Sequence, residues 1–234
     1  VKELTIISEL CGQFGGSMRR AEQMMLQSKM GGADYVKVQL YDTYRMPGEN
    51  RELWEYLSMT KPEFEQMKRF ADSLNLGFFA SAFHKDRFNW IRSTLSINKI
   101  ASSLLISDFE LCTFMVESKM FTFCSLGKWK EEELPFDSDN IVYMHCLCEY
   151  PHHYKRAIEV MPQKFEGKRI GYSDHCIGIE ACKEAVRRGA LFIEKHFTTD
   201  HNLDCKTEGA HLCSMDYDEL VELRNFCDEY ARKS

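Results

Sequence analysis

Two histidines, two lysines and a group of serines stand where they could act together. His175 closes the run Tyr172-Ser173-Asp174, and His196 follows Glu194-Lys195. Imidazole nitrogens bind divalent metals, and two histidines ending adjacent strands can share one ion. A satisfied buried histidine is the plainer alternative for either one alone. Lys37 and Lys99 read as lying on neighbouring strands, with Ser81, Ser102, Ser125 and Ser173 on four strands. Ammonium groups and hydroxyls in that mixture suit a small anion carrying phosphate or carboxylate. For each lysine alone, the alternative is a salt bridge to a nearby acid. Glu9, Gln39, His145 and Glu194 complete the set. Polar side chains at buried strand ends cost several kcal/mol unless something pairs with them. So many in one place favour a site.

These residues need a scaffold that brings distant segments to one mouth. Apolar, β-prone runs occur at residues 4–8, 35–39, 78–81, 98–102, 121–125, 141–146, 170–173 and 191–196. Helical patterns separate most of them. Ser17 can cap a helix carrying Met18, Ala21 and Met25, which ends near Gly31-Gly32. Thr60 with Glu63, and Asp216 with Glu219, have capping-box spacing ahead of apolar stripes. Further helices are expected near residues 108–118, 154–165 and 177–188. Eight strands, nearly all followed by helices, predict an α/β fold: a closed (β/α)8 TIM barrel. The fifth βα unit is shortened, because fifteen residues with Pro135 and several charges leave little room for a helix. The longest irregular stretch, residues 41–58, has the length of a loop that shapes a site.

The chain has 234 residues, and an α/β barrel fills roughly 200–250 as one domain. Residues 1–234 therefore read as a single domain. Hydrophobic residues make up 44%, enough for a sizeable core. A net charge of −6 without a basic block argues against nucleic acid as a partner. No apolar run approaches the ~20 residues of a membrane span, and no signal-like segment opens the chain. Ten scattered cysteines read as thiols in a reducing cytosol, which predicts a cytoplasmic protein. His145, Cys146 and Cys148 do not read as one metal site, since side chains alternate along a strand. Cys146 reads as packing, and His152-His153 as solvated.

The chain resembles the catalytic barrel of the N-acetylneuraminate (sialic acid) synthases and their pseudaminic and legionaminic acid relatives. The resemblance is carried by ISELCGQFGG (7–16), GADYVKVQLY (32–41), KIASS (99–103), MHCLCEYP (144–151), GYSDHCIGIEA (171–181) and GALFIEKHFT (189–198). It implies condensation of phosphoenolpyruvate with an N-acetylated amino sugar to a 2-keto-3-deoxy nonulosonic acid. It also implies a divalent cation, manganese above magnesium or cobalt, held by His175 and His196. The phosphoenolpyruvate pocket maps to Lys37, Lys99, Ser102, Ser125 and Ser173, with Ser81 nearby. The sugar side maps to Glu9, Gln39 and Tyr150.

Several positions depart from the family pattern. Ser103-Leu104 stand where an acidic residue is usual, Cys148 where an Asn or Ser is usual, and Ala210 where an Asp is usual, with Glu208 close by. The resemblance also implies a C-terminal antifreeze-like domain, which this reading does not find within residues 1–234 and expects a homodimer or a partner chain to supply. These departures leave a second reading open, a diverged barrel that binds phosphoenolpyruvate or sugar as a catalytically silent subunit.

Overall fold

A computed structural model describes residues 4–43, 51–203 and 208–233, with the side chains of 208 and 209 outside that description. Eight parallel strands form a closed barrel in sequence order. They are β1 (Thr5–Cys11), β2 (Tyr35–Leu40), β3 (Gly77–Ala82), β4 (Ile97–Ile100), β5 (Phe121–Ser125), β6 (Ile141–His145), β7 (Gly171–Asp174) and β8 (Phe192–His196). The helices are α1 (Met18–Met30), α2 (Arg51–Leu57), α3 (Lys61–Ser73), α4 (Lys85–Thr94), α5 (Ser102–Ser107), α6 (Phe109–Glu117), α7 (Tyr154–Val160), α8 (Glu180–Arg187), α9 (Glu208–Leu212) and α10 (Tyr217–Lys233). This is the (β/α)8 TIM barrel the alternation predicts.

The helix starts follow their sequence signals. Ser17 Oγ accepts the Arg20 amide at 3.3 Å ahead of α1. Thr60 and Glu63 close a complete capping box on α3, and Asp216 and Glu219 do the same before α10. Four helices lie where the sequence pattern gave none: α2, α4 and the short α5 and α9. Helix α2 lies within the stretch expected to be irregular, and α4 buries only Phe88 and Ile91, too thin a stripe to stand out. Helices α7 and α8 are shorter than their apolar patterns suggest. No helix joins β5 to β6. There Trp129, Phe136 and Phe109 cover the wall, with Phe109 stacked 6.1 Å from Trp129 and 5.0 Å from Phe136. Tyr143 Oη donates to the Phe136 carbonyl at 2.7 Å and pins this aromatic pad to β6.

Inside the barrel, one end is a dry plug. Ile7, Phe79, Phe123, Val142 and Met144 form it, with Tyr35, Ile97 and Phe192 packed alongside. Phe79 and Phe192 lie 5.4 and 5.2 Å from the Phe123 ring, separations at which aromatic pairs add about 0.5–1.5 kcal/mol beyond burial. Gly171 makes room for the plug, because a Cβ there would sit 2.6 Å from Met144 Cγ. Toward the C-terminal ends of the strands the inward residues become polar. No described helix is long and apolar enough to cross a membrane.

Candidate active site at the C-terminal mouth

Above the plug opens a cavity of about 830 Å³. The site residues expected from sequence line it except His145, which lies beside Tyr172 instead, and Glu208, whose side chain lies outside the described residues. Glu9, Lys37, Gln39, Ser81, Lys99, Ser102, Ser125, Tyr150, Ser173, His175 and His196 therefore share one space.

Alternation explains how they meet. Lys37, Lys99, Met144 and Glu194 come from β2, β4, β6 and β8, and in a TIM barrel alternate strands feed one layer of the interior. The two lysines are thus not on neighbouring strands, since β3 separates β2 from β4; the shared layer is what brings them together. Lys99 Nζ lies 3.1 and 3.2 Å from the two Glu194 oxygens and 2.8 Å from Met144 Sδ. Lys37 Nζ lies 3.4 Å from Glu194 Oε2, pairs with Glu9, and donates to Ser81 Oγ at 3.4 Å. Ser173 Oγ donates to Glu194 Oε1 at 2.8 Å.

Glu194 stands among the strand-end polar residues of the sequence, but nothing in the sequence assigns it a role in the site. Its strand-end position was the available signal, but only the register reveals that one carboxylate serves both lysines. Burial alone would raise its pKa, yet Lys37, Lys99 and Ser173 together hold it well below the usual carboxylate range. Burial raises the Glu9 carboxyl above its ordinary value despite Lys37. Burial also lowers Lys99, which has one acid and a neighbouring ammonium. Lys37 ends above its ordinary value because Glu194 and Glu9 outweigh its desolvation.

On the sugar side expected from sequence, β1 is irregular between Glu9 and Cys11. Cys11 has a left-handed φ of 48°, and its amide donates to Glu9 Oε1 at 2.6 Å. Gln39 Nε2 donates to Glu9 Oε2 at 3.3 Å, and Tyr41 Oη donates to Gln39 Oε1. Tyr41 stacks on Phe83 at 4.6 Å and leans on Trp54 of α2 at 5.1 Å. The long segment after β2 thus contributes an aromatic wall to the cavity, as its length suggests. Leu104 of α5 also lines the cavity.

His175 and His196 face each other with ring centroids 5.5 Å apart. His175 Nδ1 lies 2.8 Å from the Leu147 carbonyl, so it carries the proton there and leaves Nε2 as an acceptor for Tyr150 Oη at 2.8 Å. His196 Nδ1 is buried with no hydrogen-bond partner. Burial lowers His175 to about 4 and, with His175 and Lys37 nearby, drives His196 well below its ordinary value. Both rings are neutral, the form that ligates metals, and a carbonyl orienting the far nitrogen is a usual support for a metal-bound histidine. With one buried nitrogen unsatisfied, the pair fits a divalent cation whose other positions come from water or ligand oxygens.

A second charged cluster lies on the outer side of β7 and β8. Lys195 Nζ is 2.5 Å from Asp174 Oδ2 and 2.7 Å from the Cys176 carbonyl, and Tyr172 Oη donates to Asp174 Oδ1 at 2.7 Å. His152, expected to be solvated, is buried here instead. Its Nδ1 donates to the Glu149 carbonyl at 2.8 Å, and its Nε2 contacts Cys176 Sγ at 3.1 Å. His152, Asp174 and Cys176 have ligand atoms within 4.8 Å of one another, but the Lys195 ammonium already serves as their cation. His153 is exposed and caps α7.

Comparison with known proteins agrees with this geometry. The chain is 27% identical to the N,N'-diacetyllegionaminic acid synthase of Legionella pneumophila over 93% of its own length and 69% of that protein's. It is 26% identical to a pseudaminic acid synthase of Campylobacter jejuni, over 94% and 71% of the two chains. The crystal structure of an N-acetylneuraminic acid (sialic acid) synthetase from Leptospira borgpetersenii, in complex with citrate, superposes with a TM-score of 0.86 at 26% identity. The match covers 99% of this chain and 85% of that one. Residues 24–233 match the NeuB family, a span that takes in seven of the eight strands and both histidines, and the chain belongs to that family.

Proposed function

We propose that this barrel condenses phosphoenolpyruvate with an aldose of the N-acetylated amino-sugar class, giving a 2-keto-3-deoxy nonulosonic acid. The observation that carries the reading is the meeting of Lys37, Lys99 and four serines with two neutral histidines in one cavity. Phosphoenolpyruvate brings a phosphate and a carboxylate, and the lysines are its counter-charges. Charge balance supports a cation as well. In the ligand-free site Lys37 and Lys99 are offset by Glu9 and Glu194, so a multiply charged anion entering alone would leave an uncompensated buried charge. A divalent cation held by His175 and His196 would supply that charge and, when bound, polarise the acceptor's carbonyl as a Lewis acid.

In this reading the chain's own residues divide the work. Lys37, Lys99, Ser102, Ser125 and Ser173 fix the anion and neutralise the departing phosphate. Ser81, bonded to Lys37, fixes the direction of that ammonium. Carbon–carbon bond formation joins the methylene carbon of phosphoenolpyruvate to the open-chain aldehyde; water adds at C2 and phosphate leaves with C–O cleavage. Glu9 is placed to hold a proton near the acceptor, because burial keeps its carboxyl basic and Gln39 orients it. Tyr150 covers His175 at the mouth.

The test is phosphate release from phosphoenolpyruvate with manganese and a panel of amino sugars. Release dependent on one sugar is the expected result. Absence of release together with absence of phosphoenolpyruvate binding would overturn the proposal. Binding without release for any sugar would favour the silent-subunit reading, which the apolar Leu104 in the cavity wall supports. For the same reason N-acetylmannosamine is expected to be a poor acceptor. A sugar hydroxyl that loses a charged partner forfeits about 1.5–3 kcal/mol.

A further inference from the structure

The wall of the cavity carries two thiols that the proposed reaction does not use. Cys146 and Cys148 are two residues apart just beyond β6, and both line the cavity, whereas His145, the last residue of the strand, does not. Their sulfurs are 3.8 Å apart. The fold leaves space for both: a Cβ on Gly127, in the loop after β5, would lie 2.5 Å from each sulfur. Cys146 is buried, whereas Cys148 is part-exposed and faces the cavity. Cys148 Sγ is also 2.9 Å from Ser102 Oγ.

We propose that Cys146 and Cys148 are an oxidation site, closed to a disulfide by hydroperoxides and reopened by thiol reductants. Cys148 is the attacking sulfur. The hydrogen bond from Cys146 outweighs burial, and with Ser102 and the Lys128 and Lys99 ammonium groups it brings the Cys148 thiol down to about 6; Cys146 keeps its proton. The Cys148 thiolate attacks the hydroperoxide. A sulfur–oxygen bond forms, the O–O bond breaks, and the departing alkoxide or hydroxide leaves as alcohol or water after taking a proton from solvent. The Cys146 sulfur then attacks the sulfenic sulfur. The S–S bond forms, the S–O bond breaks, and hydroxide leaves as water with the Cys146 proton. Two electrons pass from the thiol pair to the peroxide. Closing the pair draws Cys148 away from Ser102, which loosens the edge of the anion pocket; this consequence rests on the phosphoenolpyruvate reading above.

The experiment is equimolar hydrogen peroxide on the reduced protein, followed by alkylation and tryptic mass mapping. Residues 131–155 form one tryptic peptide that contains these two cysteines and no other. That peptide should appear unalkylated and two hydrogen atoms lighter, and dithiothreitol should restore double alkylation. Cys148→Ser should abolish the change, and Gly127→Ala, folded by circular dichroism, should slow it. Double alkylation after peroxide, Cys148 oxidised beyond sulfenic acid with Cys146 still a thiol, or oxidation at the same rate in Gly127→Ala would each overturn the proposal. Calorimetry with phosphoenolpyruvate on both forms separates the two readings. Disulfide formation with weaker affinity supports both parts, and disulfide formation with unchanged affinity overturns the coupling. If neither form binds phosphoenolpyruvate, the functional reading fails while the oxidation site stands on the mass map.

Discussion

Glu194 and Lys195 are consecutive on β8 and point to opposite sides of the sheet, each into a buried ionic network. The outer network is complete. Lys195 is met by Asp174 and the Cys176 carbonyl, Asp174 by Tyr172, and neither charged side chain reaches solvent. The inner network faces an open cavity, and one carboxylate is shared by two ammonium groups. The same residue chemistry therefore does two jobs. A saturated pair under the helices locks β7 to β8, and a cluster in the mouth stays open to the cavity, where the proposed function would place an anion and its balancing cation. Burial alone does not separate the two cases; what separates them is whether the groups run out of partners.

The largest effect expected from this contrast is on stability. Lys195→Ala leaves Asp174 buried and uncompensated, which should cost about 3–5 kcal/mol in urea unfolding. Lys99→Ala should cost clearly less, since cavity water can solvate Glu194. Equal losses would erase the distinction. Next, His196→Ala removes one of two imidazoles, and manganese affinity should fall by about a hundredfold, since even outer-shell partners are worth about 10–100-fold. Manganese titration of the apo protein reads this directly, and unchanged affinity would remove the metal from the inner site. Lys37→Ala and Lys99→Ala should each weaken phosphoenolpyruvate binding about tenfold or more by calorimetry, because ~1.4 kcal/mol is a factor of ten. If both bind normally, the inner lysines are as structural as Lys195. The smallest effect is a profile. Cys148, on the open side, should alkylate with a rate that rises with pH through about 6 and then levels, because the thiolate is the reactive form. Cys176, in the sealed network, should stay slow across that range, since burial raises its thiol.

Much of this was legible from residue order. The strands announced themselves as apolar runs, and the missing fifth helix followed from counting residues between β5 and β6. Helix α4 was hidden because its outward face mixes Arg, Asn and Trp with the two residues it buries. The mouth was legible as a list of strand-end polar residues. What the list could not rank was Glu194, because its importance lies in which layer it shares, and layer membership depends on strand stagger. His152 was misjudged for a related reason. A proline and an adjacent exposed histidine mark a loop, but only tertiary packing shows that Cys176 pulls one of the two rings inward.

The register at the closing seam has a consequence for how the molecule assembles. Glu9 on β1 pairs with His196 on β8, so the first and last strands meet where ligands are expected to sit. A bound molecule that touches β2, β4 and β8 gathers contacts spread over most of the chain, and they come together only once the ring of strands has shut. Its binding free energy is then ring-closure free energy. At a hundredfold excess over Kd this amounts to about 2.7 kcal/mol. Amide exchange should slow around the whole circumference when ligand is added, with the protection as large at β5, far from the seam, as at β1.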